Sequence, residues 1–236
     1  GGIDSALVAY IASQALGPQN VVGISLPSIY TNSQSKKDAR ELALRLGIKF
    51  IEMSIEKPLD TFLNLLEPFF YEKEPDITEE NLQARIRGII LMAMSNKHGY
   101  ILLSTGNKSE IAVGYSTLYG DMCGGLALIG DVLKTKIFDI CRYINKIEEK
   151  EVILESIIKR APSAELAFNQ IDLDSLPPYE EIDSIIEGYV ENSLSVDEIV
   201  EKYCIQEETV LNIINKIYSS EYKRRQGPPI LRVSRK

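Results

Sequence analysis

Three times in the first 104 residues a segment of helical period ends at a glycine and gives way to a short apolar run of strand type. That alternation confines the chain to an α/β fold on parallel strands joined by crossover helices. Ser5 to Leu16 reads as a helix whose Ala6, Leu7, Ala9, Tyr10 and Ala12 give close-packing faces before Gly17-Pro18 stops it, and Val21 to Leu26 follows as a buried strand. A polar loop, Pro27 to Gln34, leads to a helix over Ser35 to Leu46 with Ala39, Leu42, Ala43 and Leu46 on one stripe. Gly47 ends it, and Lys49 to Ser54 is the next strand.

A helix around Leu59 to Leu66 and an acidic loop, Glu72 to Asp76, come before a long helix that Thr78 is placed to cap. Glu79 and Glu80 suit the positive end of its dipole, and Gly99 lies just past its end. Leu82, Ile86, Ile89, Ile90 and Ala93 are expected to face inward, with Asn81 and Arg85 projecting together one turn apart. Tyr100 to Ser104 is the following strand, ending in the polar turn Thr105-Gly-Asn-Lys-Ser-Glu110. Ala112 to Asp131 reads as a long glycine-rich loop, a feature often functional in compact domains, and helices resume near Lys134. Beyond Pro177-Pro178 only helices are expected: Tyr179 to Glu191, Ser195 to Tyr203 and Glu208 to about Tyr222. The expected architecture is a doubly wound, Rossmann-like parallel sheet over residues 1–176 with a helical appendage, 177–236, packed on it.

Composition narrows the function. The 26 Lys and Arg against 34 Asp and Glu leave a net charge of −8, which repels a polyphosphate backbone, so nucleotide chemistry needs a locally basic pocket and general nucleic-acid binding is disfavoured. Cys123, Cys141 and Cys204 are widely spaced and accompanied by the single His98, a poor basis for zinc or disulfides and consistent with a reducing, cytoplasmic setting. No apolar run reaches the roughly 18 residues of a membrane span. The sequence opens on Gly1 instead of Met, directly into a turn, so a preceding segment is expected to be missing.

Gly1-Gly2-Ile3-Asp4-Ser5 opens a helix, and a glycine pair there lets successive N–H groups and the helix dipole face an anion. It lacks both the G-K-[ST] ending of a Walker loop and the third glycine of a dinucleotide fingerprint. Asp4 sets a carboxylate beside that anion, which is repulsive unless Mg²⁺ lies between them. Asp4 and Glu110 each sit at a strand-to-helix turn, on the edge where ligands of such sheets collect.

GGIDS resembles the loop of the ATP pyrophosphatases, the adenine nucleotide alpha hydrolase-like enzymes that cleave ATP between its α and β phosphates. Five further segments appear in order: Asn81-Leu-Gln-Ala-Arg-Ile-Arg87, Thr105 to Glu110, Tyr115-Ser-Thr-Leu-Tyr-Gly-Asp121, Ser175-Leu-Pro-Pro-Tyr179 and Glu221-Tyr-Lys-Arg-Arg225. Together they resemble the synthetase domain of the NAD⁺ synthetases over nearly the whole chain. The resemblance implies that the nicotinate carboxylate of deamido-NAD is adenylated by ATP and that ammonia then displaces AMP. It implies a magnesium and polyphosphate role for Asp4 and Glu110, ATP contacts from Gly1, Gly2, Asp4, Ser5, Thr105, Lys134 and Ser163, and a catalytic part for Lys134. It implies deamido-NAD contacts from Asn81, Arg85, Glu110, Tyr222 and Lys223, and homodimers with the Asn81 helix at the interface. The strand and serine that precede the glycine pair in that family are absent.

The branch of the family that uses free ammonia carries Lys and Asp where this chain has Leu118 and Gly125, so the loop resembles the glutamine-using branch. That branch has an N-terminal glutaminase domain, which nothing here resembles. Cys123 is expected to be a packing residue and His98 to meet the last carbonyls of its helix. Two other readings compete. GMP- or asparagine-forming synthetases share the opening loop. Ser195 to Tyr222 outlines a DNA-binding helix-turn-helix, but residues 193–222 hold six acidic residues and two lysines, which makes a poor phosphate reader.

Overall fold

The computed structural model of the chain describes residues 1–71 and 73–234; Glu72, at the head of the acidic loop, lies outside them. Helix α1 (Ile3–Leu16) leads to β1 (Val22–Ser25), α2 (Ser33–Leu46), β2 (Lys49–Glu52), α3 (Glu56–Phe70) and α4 (Ile77–His98). Strand β3 (Leu103–Ser104), α5 (Lys108–Val113), β4 (Leu126–Ala127), α6 (Lys134–Ile147) and α7 (Glu155–Lys159) follow. The last third holds α8 (Tyr179–Ile186), α9 (Val196–Tyr203), α10 (Glu207–Ser219) and the short α11 (Glu221–Arg224). Gly47 and Gly99, in the left-handed region, end α2 and α4 as expected.

Among the described residues the strands form two separate parallel pairs. In one, β1 joins β2 with Val22 opposite Lys49; in the other, β3 joins β4 with Leu103 opposite Leu126. The strand expected over Tyr100 to Ser104 shrinks to its last two residues, because β4 offers it only Leu126 and Ala127 as partners. The loop expected over Ala112 to Asp131 therefore contains β4, and it begins inside α5.

Three further local expectations change. Thr78 does not cap α4: Asp76 does, because Glu79 three residues on completes a capping box with it, and Thr78 has Asn81 at that spacing. Ile89 is 60% exposed and Ala93 is also exposed, since α4 buries a single face through Gln83, Ala84, Ile86 and Gly88. The segment from Glu208 to Tyr222 divides at Ser220 into α10 and α11.

Side chains from α1 (Ile3, Leu7, Tyr10), α2 (Leu42, Leu46), α6 (Ile137, Cys141, Ile144) and α7 (Ile157) share one apolar core. Ile24 of β1 and Leu26 just after it pack instead with Leu59 of α3 and Ile86 of α4, while α2 also packs on β1 and β2, so this strand pair is wound on both sides. A third core joins Val113 and Leu133 to Ile182, Ile185, Ile186, Ile199, Val210 and Ile213. Each fully buried isoleucine contributes about 1.5–3 kcal/mol. The C-terminal helices are thus fixed on α5 and on the start of α6, where the chemistry-bearing side chains lie.

Candidate active site

Three helix N-termini converge on one point, each bringing a charged side chain. Asp4 stands in the first turn of α1, Glu110 in the first turn of α5, and Lys134 is the first residue of α6. The Lys134 ammonium donates to Asp4 Oδ2 at 2.6 Å and to Glu110 Oε1 at 3.0 Å, although Lys134 is only 2% exposed. Asn107 ties the group together. Its amide donates to Asp4 Oδ1 at 2.8 Å, and its side-chain oxygen accepts the Glu110 N–H at 2.9 Å to cap α5. The Tyr179 ring lies under the ammonium, 5.2 Å from Nζ to its centroid, and the Tyr179 hydroxyl donates to Asp172.

Burial, and then the charge of Asp4, push the Glu110 carboxyl up to about 7 even though Lys134 pulls the other way. Burial works against the Lys134 charge, but Glu110 and Asp4 outweigh it and hold the ammonium well above the usual lysine range. Two carboxylates share one ammonium at a place where three helix dipoles favour anions.

The opening loop fits a cradle. A Cβ on Gly1 would collide with the Ser35 carbonyl, so only glycine fits there, while nothing lies within 4 Å of the Cβ position of Gly2. The Ser5 hydroxyl donates to the Gly2 carbonyl at 3.0 Å, and Arg160 donates to the Gly1 carbonyl at 3.3 Å. Beside this loop a cavity of about 110 Å³ is lined by Asp4, Thr105, Glu110 and Asp121, with Arg224 and Ile230 from the C-terminal segment.

Three of the residues expected to meet a dinucleotide, Asn81, Arg85 and Lys223, bond to the 114–118 segment. Thr117 donates to Asn81 Oδ1 at 2.7 Å, and Arg85 donates to the Leu118 carbonyl at 3.2 Å. Lys223 donates to the carbonyls of Gly114 and Ser116 at 2.8 and 2.6 Å. Tyr222 is 55% exposed. Ser163 lies in a separate turn, where its hydroxyl donates to the Gln170 carbonyl and accepts from the Glu165 N–H.

A family model described as NAD synthase matches residues 1–227. The chain belongs to the NAD synthase family. The glutamine-dependent NAD(+) synthetase of Thermotoga maritima is 49% identical over 234 residues, which are 99% of this chain and 40% of that protein. The chain thus spans about 40% of the length of such relatives. A solved glutamine-dependent NAD+ synthetase from Acinetobacter baumannii, in complex with adenosine diphosphate, is 43% identical, with a TM-score of 0.67 and coverage of 99% of this chain and 41% of that one. An NH3-dependent NAD synthetase from Campylobacter jejuni is 27% identical, with a TM-score of 0.73 and coverage of 98% and 86%. The shared architecture is the Rossmann-like adenine nucleotide alpha hydrolase fold.

In this NAD synthase chain several site neighbours carry no conspicuous local signal. Asp121 accepts the Thr117 N–H at 2.7 Å, and burial raises its carboxyl to about 6 despite that bond and the nearby Lys223. Its signal was an acid inside a glycine-rich loop. Asp172 accepts from the hydroxyls of both Tyr115 and Tyr179, at 3.2 and 2.8 Å. Asn107 was visible in principle, because Asn followed three residues later by Glu spells a capping box. The Cys123 sulfur faces the Gly88 backbone, in keeping with a packing role, and the His98 ring stacks on Tyr100.

Proposed function

We propose that this chain is the synthetase portion of a glutamine-dependent NAD⁺ synthetase, a C–N ligase that adenylates the nicotinate carboxylate of deamido-NAD with ATP and amidates it with ammonia. The observation that carries the reading is the Lys134 ammonium shared by Asp4 and Glu110 where three helices begin. A carboxylate attacking a phosphate is a meeting of anions, so catalysis consists mainly of neutralising charge and fixing position.

Gly1, Gly2 and Ser5 offer the N-terminal end of α1 to the polyphosphate, and Thr105 and Ser163 add hydroxyl contacts to ATP. Lys134 gives up part of its hold on the two carboxylates to follow the charge that develops on the pyrophosphate leaving group. Asn81, Arg85, Tyr222 and Lys223 seat deamido-NAD against the 115–121 loop, with Glu110 at the junction of the two substrates. No group of three or more His, Cys, Asp or Glu side chains among the described residues is placed to hold a metal ion, so the protein offers a cation one carboxylate pair. That set fits Mg²⁺, which characteristically takes one or two carboxylates and completes its shell with phosphate oxygens and water. Asp4 and Glu110 would hold it, and when bound it supplies charge neutralisation at the phosphates.

The same reading divides the chain into an α/β domain, 1–176, and a helical segment, 177–236. It also places the ammonia source in a glutaminase domain of the whole protein, and the whole protein as a homo-oligomer in the cytoplasm. Support for the glutaminase comes from Leu118 and Gly125 and from the greater length of the relatives. No described helix is long and apolar enough to cross a membrane.

The test is product analysis. Full-length protein given ATP, Mg²⁺, deamido-NAD and ammonia is expected to form AMP, pyrophosphate and NAD⁺, and to ignore xanthylate offered in place of deamido-NAD. ADP as the stoichiometric product would exclude the assignment.

A further inference from the structure

The last described residues are tied to the site, although Pro229 to Val233 are exposed on their outer side. Downstream of α11, Gly227 to Ser234 crosses the face of the site as a strap: the Ala127 N–H donates to the Pro229 carbonyl at 2.8 Å, and Ile230 bridges Ala127 in parallel. Arg224, Gly227, Pro228 and Ile230 form one wall of the cavity whose other walls are Asp4, Thr105, Glu110 and Asp121.

The strap is fastened at one residue. Asp131 accepts the N–H groups of Val233 and Ser234 at 2.7 and 2.6 Å and the Ser234 hydroxyl at 2.9 Å. Lys108 pairs with the same carboxylate at 2.9 Å and also reaches Glu191 and Ser234. These bonds outweigh burial and hold Asp131 down at about 2, so the fastening stays charged across the working pH range. A second feature is built for close contact. A Cβ on Gly130 would lie 2.9 Å from Ile230 Cγ1 and 3.1 Å from Ala127 Cβ, so the strap rests on a position that leaves no room for a methyl group.

We propose that the 227–234 strap is a water-excluding wall that protects the acyl-adenylate, and that Asp131 is the positioning residue that holds it shut. The proposal rests on the adenylation reading above. In the productive step ammonia nitrogen bonds to the acyl carbon, the acyl–oxygen bond to phosphate breaks, and amide, AMP and a proton result. Water entering the same space would bond its oxygen to that carbon and break the same bond. That returns the carboxylate with AMP and two protons, and the ATP is spent for nothing. Excluding water from a reactive intermediate is a recognised task of closed active sites.

The experiment measures AMP formed per NAD⁺ in the full-length protein at limiting ammonia, for wild type, Asp131→Asn and Gly130→Ala. Wild type is expected near one. Both variants are expected to rise several-fold while ATP turnover persists, and saturating ammonia should bring them back toward one by outcompeting water. Gly130→Ala leaves the Asp131 carboxylate itself in place, so it reports on the wall even where Asp131→Asn impairs folding. A ratio that stays at one in the variants, with or without a fall in turnover, overturns the strap proposal. Wild type that forms no AMP at all overturns the adenylation reading instead.

Discussion

Lys134 Nζ stands 2.6 Å from Asp4 Oδ2, although 130 residues of chain separate the two. The contact joins the first residue of α6 to the first turn of α1, and Glu110 brings in the first turn of α5. One ammonium therefore serves both the packing of three helices and the charge balance of the site. Substitutions here separate into those that remove chemistry and those that also remove folding energy.

Asp4→Asn and Glu110→Gln belong to the first kind. Gln at position 110 can still complete the α5 capping box, and Asn at position 4 can still accept from Asn107. Both should lose rate by orders of magnitude, as expected when charge is removed from the proposed metal and phosphate site, with melting temperatures near that of wild type. Lys134→Met is of the second kind. It leaves two carboxylates facing each other without a cation, and breaking a buried pair from one side costs about 3–5 kcal/mol. The double variant with Glu110→Gln should recover much of that stability and none of the activity. Melting curves and steady-state rates on the same samples check all four, and near-normal turnover of Asp4→Asn at saturating Mg²⁺ would remove Asp4 from the chemistry.

How far the sequence reaches follows from what kind of signal each feature carries. Helix ends at Gly47 and Gly99, and the turns that present Asp4 and Glu110, are local, so a few neighbouring residues suffice to place them. The burial of Lys134 is not local. A lysine at a helix start reads as surface until two carboxylates from distant turns are brought to it. Strand length fails for the same reason: Tyr100 to Ser104 is apolar enough to pair throughout, but its extent is set by β4. In α4 the apolar residues run nearly all the way round, so periodicity alone assigned Ile89 and Ala93 to a core that takes only one face. Family motifs propose Lys223 and Arg85 for the substrate region, but their bonds to the 114–118 loop carbonyls appear only in three dimensions.

Those bonds make Lys223 a test of the proposed dinucleotide subsite. Lys223→Ala releases the carbonyls of Gly114 and Ser116 and removes a cation near Asp121. The KM for deamido-NAD should rise about tenfold, the equivalent of roughly 1.4 kcal/mol, and that for ATP much less. Equal losses for the two substrates would mean that the 114–116 segment serves the whole site and not one ligand.

Asp121 gives a pH prediction with a definite sign. Its carboxyl titrates at about 6 in the folded chain against 3.8 unfolded, so the native state holds the proton more tightly. The resulting stabilisation is complete below the unfolded value and is lost as pH rises through the folded one, and because Asp121 also borders solvent, screening by water keeps the effect small. Asp121→Asn, which never ionises, should therefore melt slightly above wild type at pH 8 and converge with it as pH falls from 6 toward 4. Parallel melting curves across that range would show that the carboxylate is not penalised by burial.

The last prediction concerns the nitrogen donor. Leu118 and Gly125 stand where the ammonia-using branch carries Lys and Asp, and the Thermotoga maritima relative named as glutamine-dependent is more than twice as long as the stretch it shares with this chain. The 236 residues contain one histidine, at the end of α4, and three cysteines, of which Cys123 packs on Gly88 and Cys141 is buried between α1 and α6. Burial raises the thiols of both Cys123 and Cys141. Neither is a thiolate able to attack an amide at neutral pH. On the proposed reading, glutamine hydrolysis belongs to residues outside these 236, and the synthetase site receives its product as ammonia. The chain as it stands, supplied with ATP and deamido-NAD, should form NAD⁺ with ammonium salts and none with glutamine, and the full-length protein should use both. Turnover of glutamine by the 236 residues alone would place a glutaminase inside this fold, and full-length protein that accepts only ammonia would leave it a stand-alone ammonia-dependent enzyme.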